Sequence, residues 1–475
     1  MTPPLEHLRP VFHVRPRTGW VNDPNGPVVA DGVHHVYFQS RPKLLLDTPV
    51  EWGHATSPDG VEWTVHASAM EPSVHPLAAD GVWSGSTLVA DDGIRAYFSG
   101  YRDDSPYQSA LTAWSADGSR FGDAVRLVDD PAPDEHIVSF RDPFVWREGG
   151  RLHLTMGAGR DDGSPLALHW ASDDGCTWER LPPLVDGRIP HTPLGFMWEC
   201  PQVLLDRGRR LLLVSIMDAD LPGFGPTVAL PLDVSGPPTI ADAQRVDHGP
   251  DYYAASLRPL GEDGDTDDGV GADDGVGAAG ALLWGWVLEA RAPAWWEADG
   301  WAGMLSLPRV ARIDEAGRLR VTPLPELARL RGAPLGIGAE GGGVEVGSAF
   351  EFEWTGVPAG GGEVRVEFGA AEHLILRPSD RGLEIDRSAS SLDERADRSP
   401  VVVEGVDASR VHGFVDGSVV ELFFGDGSAA TVRVYPTTAP PWRLMTTAGS
   451  LRAWPINASV VDLTVEPQTP PLHSR

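Results

Sequence analysis

The stretch Ser57-Pro58-Asp59-Gly60-Val61-Glu62-Trp63 decides the fold, because its pattern recurs twice farther along the chain. It returns roughly 58 residues later as Ser115-Ala116-Asp117-Gly118-Ser119-Arg120-Phe121, and roughly 57 residues after that as Ser172-Asp173-Asp174-Gly175-Cys176-Thr177-Trp178. Asp-Gly between apolar runs is a strong hairpin signal. A repeat of this length indicates similar structural units arranged in an array.

Three acids follow the same period. They lie in Trp20-Val21-Asn22-Asp23-Pro24-Asn25-Gly26, in Phe140-Arg141-Asp142-Pro143 and in Trp198-Glu199-Cys200-Pro201. Asp23 and Asp142 are about two periods apart, and the position between them falls at Trp83-Ser84-Gly85-Ser86. One further period after Glu199 falls at Asp251-Tyr252-Tyr253. Units of four strands arranged radially form a β-propeller, in which equivalent strands line one central channel. The spacing therefore predicts a five-bladed β-propeller with the acids at one depth around its axis.

Alternating apolar runs bounded by Gly, Asp and Pro predict that the chain of 475 residues is all-β. A short helix is predicted at 325–330, and alternation with Gly turns after residue 347 is typical of a β-sandwich. We expect three parts: a propeller over 1–320, a linker over 321–346 and a β-sandwich over 347–475.

An acidic, Gly-rich segment at 262–280 contains Asp-Asp-Gly-Val-Gly-Ala twice in succession, at 267–272 and at 273–278. Such a segment has little apolar surface to bury, so we expect a surface loop. Because predicted strands flank it, the loop is interpreted as an insertion in a hairpin.

The net charge of −30 and the pI near 4.7 argue against nucleic-acid binding, which needs a basic surface. Cys176 and Cys200 alone supply neither a disulfide framework nor a metal-binding set, so no metal or cofactor is expected. The first residues lack the apolar core of a signal peptide, and no apolar stretch is long enough to span a bilayer. We therefore expect a cytoplasmic protein with no membrane partner.

The acids themselves indicate the chemistry. Each is followed directly or at one residue's distance by proline and lies near an aromatic residue, a setting unusual for exposed carboxylates. Two or three carboxylates that converge on one cavity suit glycoside hydrolysis. The 17 Trp residues add weight to a sugar ligand, because flat aromatic faces stack on sugar rings.

Taken together and in this order, the three motifs resemble those of glycoside hydrolase family 32, the β-fructofuranosidases. The resemblance covers nearly the whole chain and implies a five-bladed propeller followed by a β-sandwich. It also implies a retaining exo-β-fructosidase that releases terminal β-D-fructofuranosyl units from a small sugar substrate such as sucrose or a short fructan. The supporting segments lie at 37–39, 52–57, 83–86, 251–254, 300–303, 307–309, 386–388 and 415–421.

The resemblance assigns a role to each acid. Asp23 would be the nucleophile that forms a covalent fructosyl-enzyme. Glu199 would protonate the leaving oxygen and later activate water. Asp142 would hydrogen-bond sugar hydroxyls and stabilise the transition state.

The resemblance also marks candidate substrate contacts. Arg141 has two interpretations: it helps to keep Asp142 charged, or it forms a salt bridge that holds the blade. The other candidates are expected to hold fructose hydroxyls or to form the wall or the rim of the pocket: Asn22, Gln39, Trp52, Ser84, Tyr253 and Trp286.

Two alternatives stay open at this point. The same fructosyl-enzyme could pass its sugar to another sugar, as in a fructosyltransferase, or the chain could be an inactive fructoside-binding protein. The sequence departs from the family pattern at Ser40-Arg41-Pro42, at Gln202 and over 43–50. Arg41 is therefore expected at the pocket rim, where it would affect what lies beyond the fructose.

Overall fold

A computed structural model describes residues 5–44, 48–90, 92–105, 107–187, 194–218, 224–232, 242–260, 280–336, 342–356 and 361–464. Strands dominate the described residues, and α1 (Pro293–Asp299) is their α-helix. Short 3₁₀ helices cover Glu6–Leu8, Pro76–Ala78, Pro133–Glu135 and Pro325–Leu330, the last of them at the helix predicted for 325–330. Within these residues no helix is both long enough and apolar enough to cross a membrane.

Five antiparallel sheets of four principal strands form the N-terminal part of the chain. Blade 1 contains β1 (Gly19–Ala30), β2 (Val33–Arg41), β3 (Glu51–Ser57) and β4 (Thr64–Met70). Blade 2 contains β5 (Gly81–Ala90), β6 (Gly93–Tyr101), β7 (Ser109–Ser115) and β8 (Val125–Arg126). Blade 3 contains β9 (Ile137–Glu148), β10 (Arg151–Arg160), β11 (Pro165–Ser172) and β12 (Glu179–Asp186).

Blades 4 and 5 complete the ring. Blade 4 contains β13 (Met197–Asp206), β14 (Arg209–Met217), β15 (Thr227–Pro231) and β16 (Gln244–Arg245). Blade 5 contains β17 (Tyr252–Pro259), β18 (Ala281–Val287), β21 (Arg309–Ile313) and β22 (Leu319–Pro323). The first strands contact one another in order, and β17 contacts β1, so the ring is closed. The five-bladed propeller predicted from the repeat is confirmed.

Short strands tie the ring together at two further places. β19 (Trp301–Ala302), which lies between β18 and β21 in the chain, pairs in parallel with the start of β1, and β20 (Met304–Leu305) pairs with β18. β34 (Val461–Asp462), near the end of the chain, pairs in parallel with β4. The outer edge of blade 1 is thus covered by a strand from the C-terminal part of the chain.

Large apolar side chains fill the spaces between the blades. Trp52 packs in a cluster with Phe98 of blade 2, and Trp146 of blade 3 packs in a cluster with Trp198 of blade 4. A buried aromatic side chain removes about 150–250 Å² from water, so such contacts contribute strongly to stability. Thirteen of the 17 Trp residues are at most 9% exposed, which means that most of the Trp content serves packing rather than sugar stacking.

The direction of the strands defines two ends of the propeller. The Asp-Gly motifs at Asp59, Asp117 and Asp174 join the third and fourth strands of blades 1 to 3, and each Gly has positive φ. Because neighbouring strands are antiparallel, these turns and the first-to-second connections lie at the end where the first strands finish. The second-to-third connections and the links between blades lie at the opposite end, where the first strands begin.

The C-terminal part folds into two packed antiparallel sheets, as predicted. Apolar side chains such as Phe352, Trp354 and Leu422 form its core. One sheet contains β23 (Gly343–Val346), β25 (Val364–Glu367), β26 (His373–Ser379), β27 (Gly382–Asp386), β28 (Val401–Glu404) and β32 (Trp442–Thr446). The other contains β24 (Ala349–Thr355), β29 (Arg410–Asp416), β30 (Val419–Phe424), β31 (Ala429–Arg433) and β33 (Ser450–Pro455).

Buried charges join the propeller to the sandwich. Arg309 of blade 5 is fully buried and lies 2.7 Å from Asp247 and 2.8 Å from Glu421 of β30. His13 contacts Glu421 at 3.2 Å and Asp416 at 2.8 Å. Removing one partner from such a network leaves an uncompensated charge, which costs about 3–5 kcal/mol. The two parts of the chain are therefore held in one orientation.

The strands refine the expected division of the chain. β22 ends at residue 323, inside the expected linker, and β23 begins at residue 343. We propose that the propeller extends to residue 323 and that the sandwich begins at residue 343, with 461–462 returning to blade 1.

The acidic segment 262–280 lies almost wholly outside the described residues. Its flanks are described: β17 pairs with β18, with Pro259 opposite Ala281. The segment therefore connects the first and second strands of blade 5, as the hairpin interpretation predicts. This connection leaves the blade at the end where the first strands finish.

Candidate active site

Each blade contributes one polar residue from its first strand to the central channel. These residues are Asp23 of β1, Ser84 of β5, Asp142 of β9, Glu199 of β13 and Tyr253 of β17. All five lie in the N-terminal half of their strand, so they occupy similar depths near one end of the channel. The repeat in the sequence predicted this arrangement.

A β-bulge lies at each of these positions. In every first strand the interval between two paired residues there is one residue longer than the facing interval of the second strand, for example between Val21 and Pro24 and between Glu199 and Gln202. Asp142 and Cys200 have positive φ values of 65° and 47°, a conformation that costs non-glycine residues free energy. Bulges re-aim side chains and leave a residue unpaired, and the prolines that follow the acids have no strand partner on the channel side, which explains how these strands accommodate them.

Asp23 accepts hydrogen bonds from the hydroxyl or amide groups of three neutral side chains. Ser84 Oγ donates to Oδ2 at 2.6 Å, and Gln39 Nε2 donates to the same oxygen at 3.0 Å. Asn22 Nδ2 donates to Oδ1 at 3.2 Å and also to Gln39 at 3.0 Å. Burial raises the pKa of Asp23 to about 6; the Ser84 hydrogen bond opposes this rise, and the charge of Glu199 adds to it.

Glu199 has different partners. Tyr253 donates its O–H to Oε2 at 2.7 Å, and Arg141 Nε donates to Oε1 at 2.8 Å. Arg141 Nη1 also donates to Gln108 at 3.2 Å. Both interpretations of Arg141 thus have support: its charge lowers the pKa of Asp142, and its salt bridge joins it to Glu199 on the next blade.

Asp142 is 4% exposed and interacts electrostatically with both other acids. Its Oδ2 accepts a hydrogen bond from the backbone N–H of Cys200 at 2.9 Å, and its own N–H donates to Ser99 Oγ at 2.7 Å. Cys200 Sγ is 3.7 Å from Oδ2 of both Asp142 and Asp23. Burial raises the pKa of Asp142 to about 7; the charge of Arg141 opposes the rise, and that of Glu199 adds to it.

Two predicted contact residues are almost completely buried. Trp52 is completely buried, and its indole N–H donates to the carbonyl of Trp83 at 2.9 Å. Of the two roles expected for Trp52, this burial favours a place in the pocket wall over contact with a fructose hydroxyl, and its role toward the substrate stays a prediction. Trp286 is 4% exposed and packs beside Tyr253, with its indole N–H unpaired among the described residues.

Sequence reasoning missed several residues of the site. Cys200 belongs to the Trp-Glu-Cys-Pro motif, and this motif is a signal that could have identified it. No sequence signal marked Ser99, Gln108, Met217 and Phe224, because each reaches the site from a second strand or a connection of its blade. Phe224 is 42% exposed, and its ring lies 4.8 Å from that of Tyr253 and 5.3 Å from that of Trp286.

A group of acids and a histidine in the sandwich resembles a metal site in its spacing. Glu351, Glu353 and His412 bring their ligand atoms within 4.8 Å of one another. Arginines already neutralise both carboxylates: Arg331 lies 2.5 Å from Glu351, and Arg452 lies 2.5 Å from Glu353. We interpret the group as an ion-pair network on the sheet of β24.

Comparison of the sequence with models of known protein families agrees with the propeller, the sandwich and the cluster of acids. Residues 13–323 match the model of the glycosyl hydrolases family 32 N-terminal domain, and residues 330–466 match that of the family 32 C-terminal domain. A propeller whose inner strands carry three clustered acids is thus that of a glycoside hydrolase. The chain belongs to glycosyl hydrolases family 32.

Known relatives span most of the chain. A sucrose-6-phosphate hydrolase of Zymomonas mobilis is 27% identical over 88% of this chain and 84% of its own length. A raffinose invertase of Escherichia coli is 29% identical over 68% of this chain and 66% of its own length. Among solved structures, a Bombyx mori β-fructofuranosidase has a TM-score of 0.77 at 23% identity and 96% coverage of both chains, which supports the fold.

Proposed function

We propose that the protein hydrolyses terminal β-D-fructofuranosyl units of sucrose and short fructans with retention of configuration. The observation that carries the proposal is the unlike environment of Asp23 and Glu199 within one cluster of acids. Neutral donors surround Asp23, whereas Tyr253 and Arg141 hold Glu199. The names of the relatives support the substrate class: they include sucrose-6-phosphate hydrolases, β-fructofuranosidases and a raffinose invertase.

In the first step, an oxygen of ionised Asp23 attacks the anomeric carbon while Glu199 gives its proton to the glycosidic oxygen. The bond between that carbon and the leaving sugar breaks, and fructose becomes an ester of Asp23. Asn22, Gln39 and Ser84 fix the carboxylate in place for this attack. In the second step, Glu199 takes a proton from water, which attacks the same carbon and releases fructose.

Burial gives the cluster of acids an affinity for protons near neutral pH. The pKa of Asp142 is raised to about 7 and that of Asp23 to about 6, so the coupled carboxyls hold about one proton near neutral pH. Among the described residues, few groups besides the backbone N–H of Cys200 donate a hydrogen bond to the carboxylate of Asp142. It is therefore suited to accept hydrogen bonds from sugar hydroxyls as positive charge develops on the ring.

The decisive experiment is to incubate the protein with sucrose, raffinose, inulin and levan and to identify the products. We expect free fructose from the chain end, with NMR showing the β-anomer first. Inulin should yield fructose rather than larger fragments. First appearance of the α-anomer would contradict the double displacement, and growth of longer fructans would favour the fructosyltransferase alternative.

Ser84→Ala should move the acid limb of the pH profile. The activity kcat/KM is expected to fall below about pH 6, because protonated Asp23 cannot attack. The Ser84 hydrogen bond lowers the pKa of Asp23, so its loss should raise that pKa and shift the limb upward by about 1 unit. The control is Ser86→Ala, which removes a hydroxyl of the same strand that donates to the carbonyl of Pro143. An unmoved limb in Ser84→Ala would refute the role given to Asp23.

Deletion of residues 264–279 should leave both the melting temperature and sucrose turnover nearly unchanged. The acidic, Gly-rich composition offers little apolar area to bury, and shortening a loop changes closure entropy only slightly. The flanking strands also place the connection at the end of the propeller away from the acids. Measuring activity on sucrose and on inulin tests this, since a changed ratio would mean that the segment reaches the substrate.

A further inference from the structure

Four arginines surround one buried tryptophan where the N-terminal segment meets the sandwich. Trp301, at the start of β19, is 2% exposed. The guanidinium carbons lie near the centroid of its ring, at 4.0 Å for Arg291, 4.4 Å for Arg15, 5.3 Å for Arg9 and 6.0 Å for Arg433. The face of an aromatic ring attracts cations, but the ring carries no net charge. Buried cations this close to one another therefore need carboxylates or another anion.

Two buried acids balance two of these arginines. Glu289 lies 2.6 Å from Arg291, and Asp299 lies 2.7 Å from the same guanidinium. Arg433 is 3.7 Å from Glu289 and also donates to Ser418 Oγ at 3.0 Å. When both acids are ionised, the two carboxylates and the two guanidinium groups form an electrically neutral set.

Arg15 is left without a carboxylate of its own. Arg9, the remaining cation, lies 3.5 Å from Glu6. Arg15 is 4% exposed, forms no ion pair with any residue that the structure describes, and donates from Nη2 to the carbonyl of Arg17 at 3.3 Å. Its Nε–H is unpaired among the described residues, as is the Nε–H of the fully buried Arg433. Unpaired buried donors and an unpaired buried charge are both rare, so the arginine group calls for one further negative charge.

We propose that a monovalent anion of the size of chloride binds beside Arg15, between the N-terminal segment and the sandwich. One such ion accepts hydrogen bonds from unpaired guanidinium N–H groups and supplies the single negative charge that the four arginines call for. It thereby holds the segment before β1 against Arg433, which ends β31. The site uses none of the clustered acids, so the inference is independent of the proposed function. Because the chain carries a net charge of −30, general attraction of anions to its surface does not account for such binding.

The test is the melting temperature in sodium chloride and in sodium gluconate at equal ionic strength, where only the anion differs. We expect chloride to raise the melting temperature of the wild type to a plateau about 2–4 °C above its value in gluconate, because an ion that binds only the folded state stabilises it. Arg15→Met should show no difference between the salts. It should also melt no lower than the wild type in gluconate, because an apolar side chain replaces an unpaired buried charge.

Arg331→Met is the matched control. Arg331 also stacks on a tryptophan, 4.1 Å from the ring centroid of Trp454, but it is paired with Glu351 at 2.5 Å. Its replacement should lower the melting temperature in both salts and keep the chloride effect. A wild type without a chloride effect would overturn the proposal, and so would an Arg15→Met variant that loses the same stability in both salts.

Bromide locates the ion directly, because its anomalous scattering marks its position in crystals soaked in sodium bromide. We expect a peak in contact with the Arg15 guanidinium in the wild type and none there in Arg15→Met. Absence of this peak from the wild type would contradict the site.

A carboxylate of the chain itself is the alternative to a free ion. Residues 465–475 lie outside the described residues and include Glu466, so a variant that ends at residue 464 separates the two cases. Its chloride effect should equal that of the wild type. A chloride effect that appears only after this truncation would assign the place beside Arg15 to that carboxylate and overturn the proposal.

Discussion

Asp23→Asn lowers kcat on sucrose by about 10⁴-fold or more, because the amide cannot form the fructosyl ester. The substitution keeps the size of the side chain, and the amide oxygen can still accept from Ser84. Circular dichroism and the melting temperature should therefore show an intact fold. Asp117→Asn is the matched control: Asp117 is exposed in a turn at the far end of blade 2, where asparagine is accepted equally well.

Glu199→Gln tests the general acid in the same assay. We expect kcat on sucrose to fall by about 10²–10⁴-fold, a smaller loss than for Asp23→Asn. A fructoside whose leaving group needs no proton, such as a nitrophenolate, should recover much of the first step. Added azide should then replace water as the nucleophile that releases the sugar. Asp23→Asn should show neither rescue. Sucrose turnover near the wild-type rate in either variant would remove the proposed site altogether.

Asp142→Asn is expected to make the protein more stable and nearly inactive. The folded-state pKa of Asp142 is about 7, above the ordinary carboxyl value, so its ionisation disfavours the folded state. The cost is absent below about pH 4, grows as pH rises and is complete above about pH 7. Asparagine should therefore add up to about 4 kcal/mol to the unfolding free energy at pH 8 and clearly less at pH 5. It also tolerates the positive φ at this position.

The measurement is denaturant unfolding at both pH values, together with kcat on sucrose, which should fall by at least about 100-fold. Glu289→Gln provides a control of opposite sign. Although burial favours its neutral form, the charges of Arg291 and Arg433 lower the pKa of Glu289 to about 2. Glutamine there should destabilise the protein at pH 8. A destabilised Asp142→Asn would show that Asp142 is held by its partners rather than strained by burial.

Most of the fold could be predicted from the repeat of about 57 residues, because a propeller places equivalent residues of successive blades at equivalent positions. It predicted the shared depth of Asp23, Ser84, Asp142, Glu199 and Tyr253 without any knowledge of contacts. Pairing between side chains could not be predicted in the same way. Arg141 reaches Glu199 rather than Asp142 because a bulge turns the backbone between Arg141 and the next paired residue of β9.

Trp52 shows a second limit of the sequence. Its place in the sequence, on the third strand of blade 1, is the same whether the indole faces the channel or the neighbouring blade. The cluster with Phe98 and the hydrogen bond to Trp83 turn it toward blade 2. Phe224 and Gln108 lie in connections, which carry no periodic signal, so their approach to Tyr253 and Arg141 needed three-dimensional structure.

The pairing of β34 with β4 has a consequence for synthesis on the ribosome. Blade 1 is the first blade to be translated, yet the strand that covers its edge is almost the last, at residues 461–462. At about 5–20 residues per second, the edge of β4 waits roughly 20–80 s for its partner. An uncovered strand edge is a template for pairing with another chain, so nascent chains crowded on one messenger RNA are exposed to mutual association. Slower initiation, which spaces the ribosomes, should raise the yield of native protein.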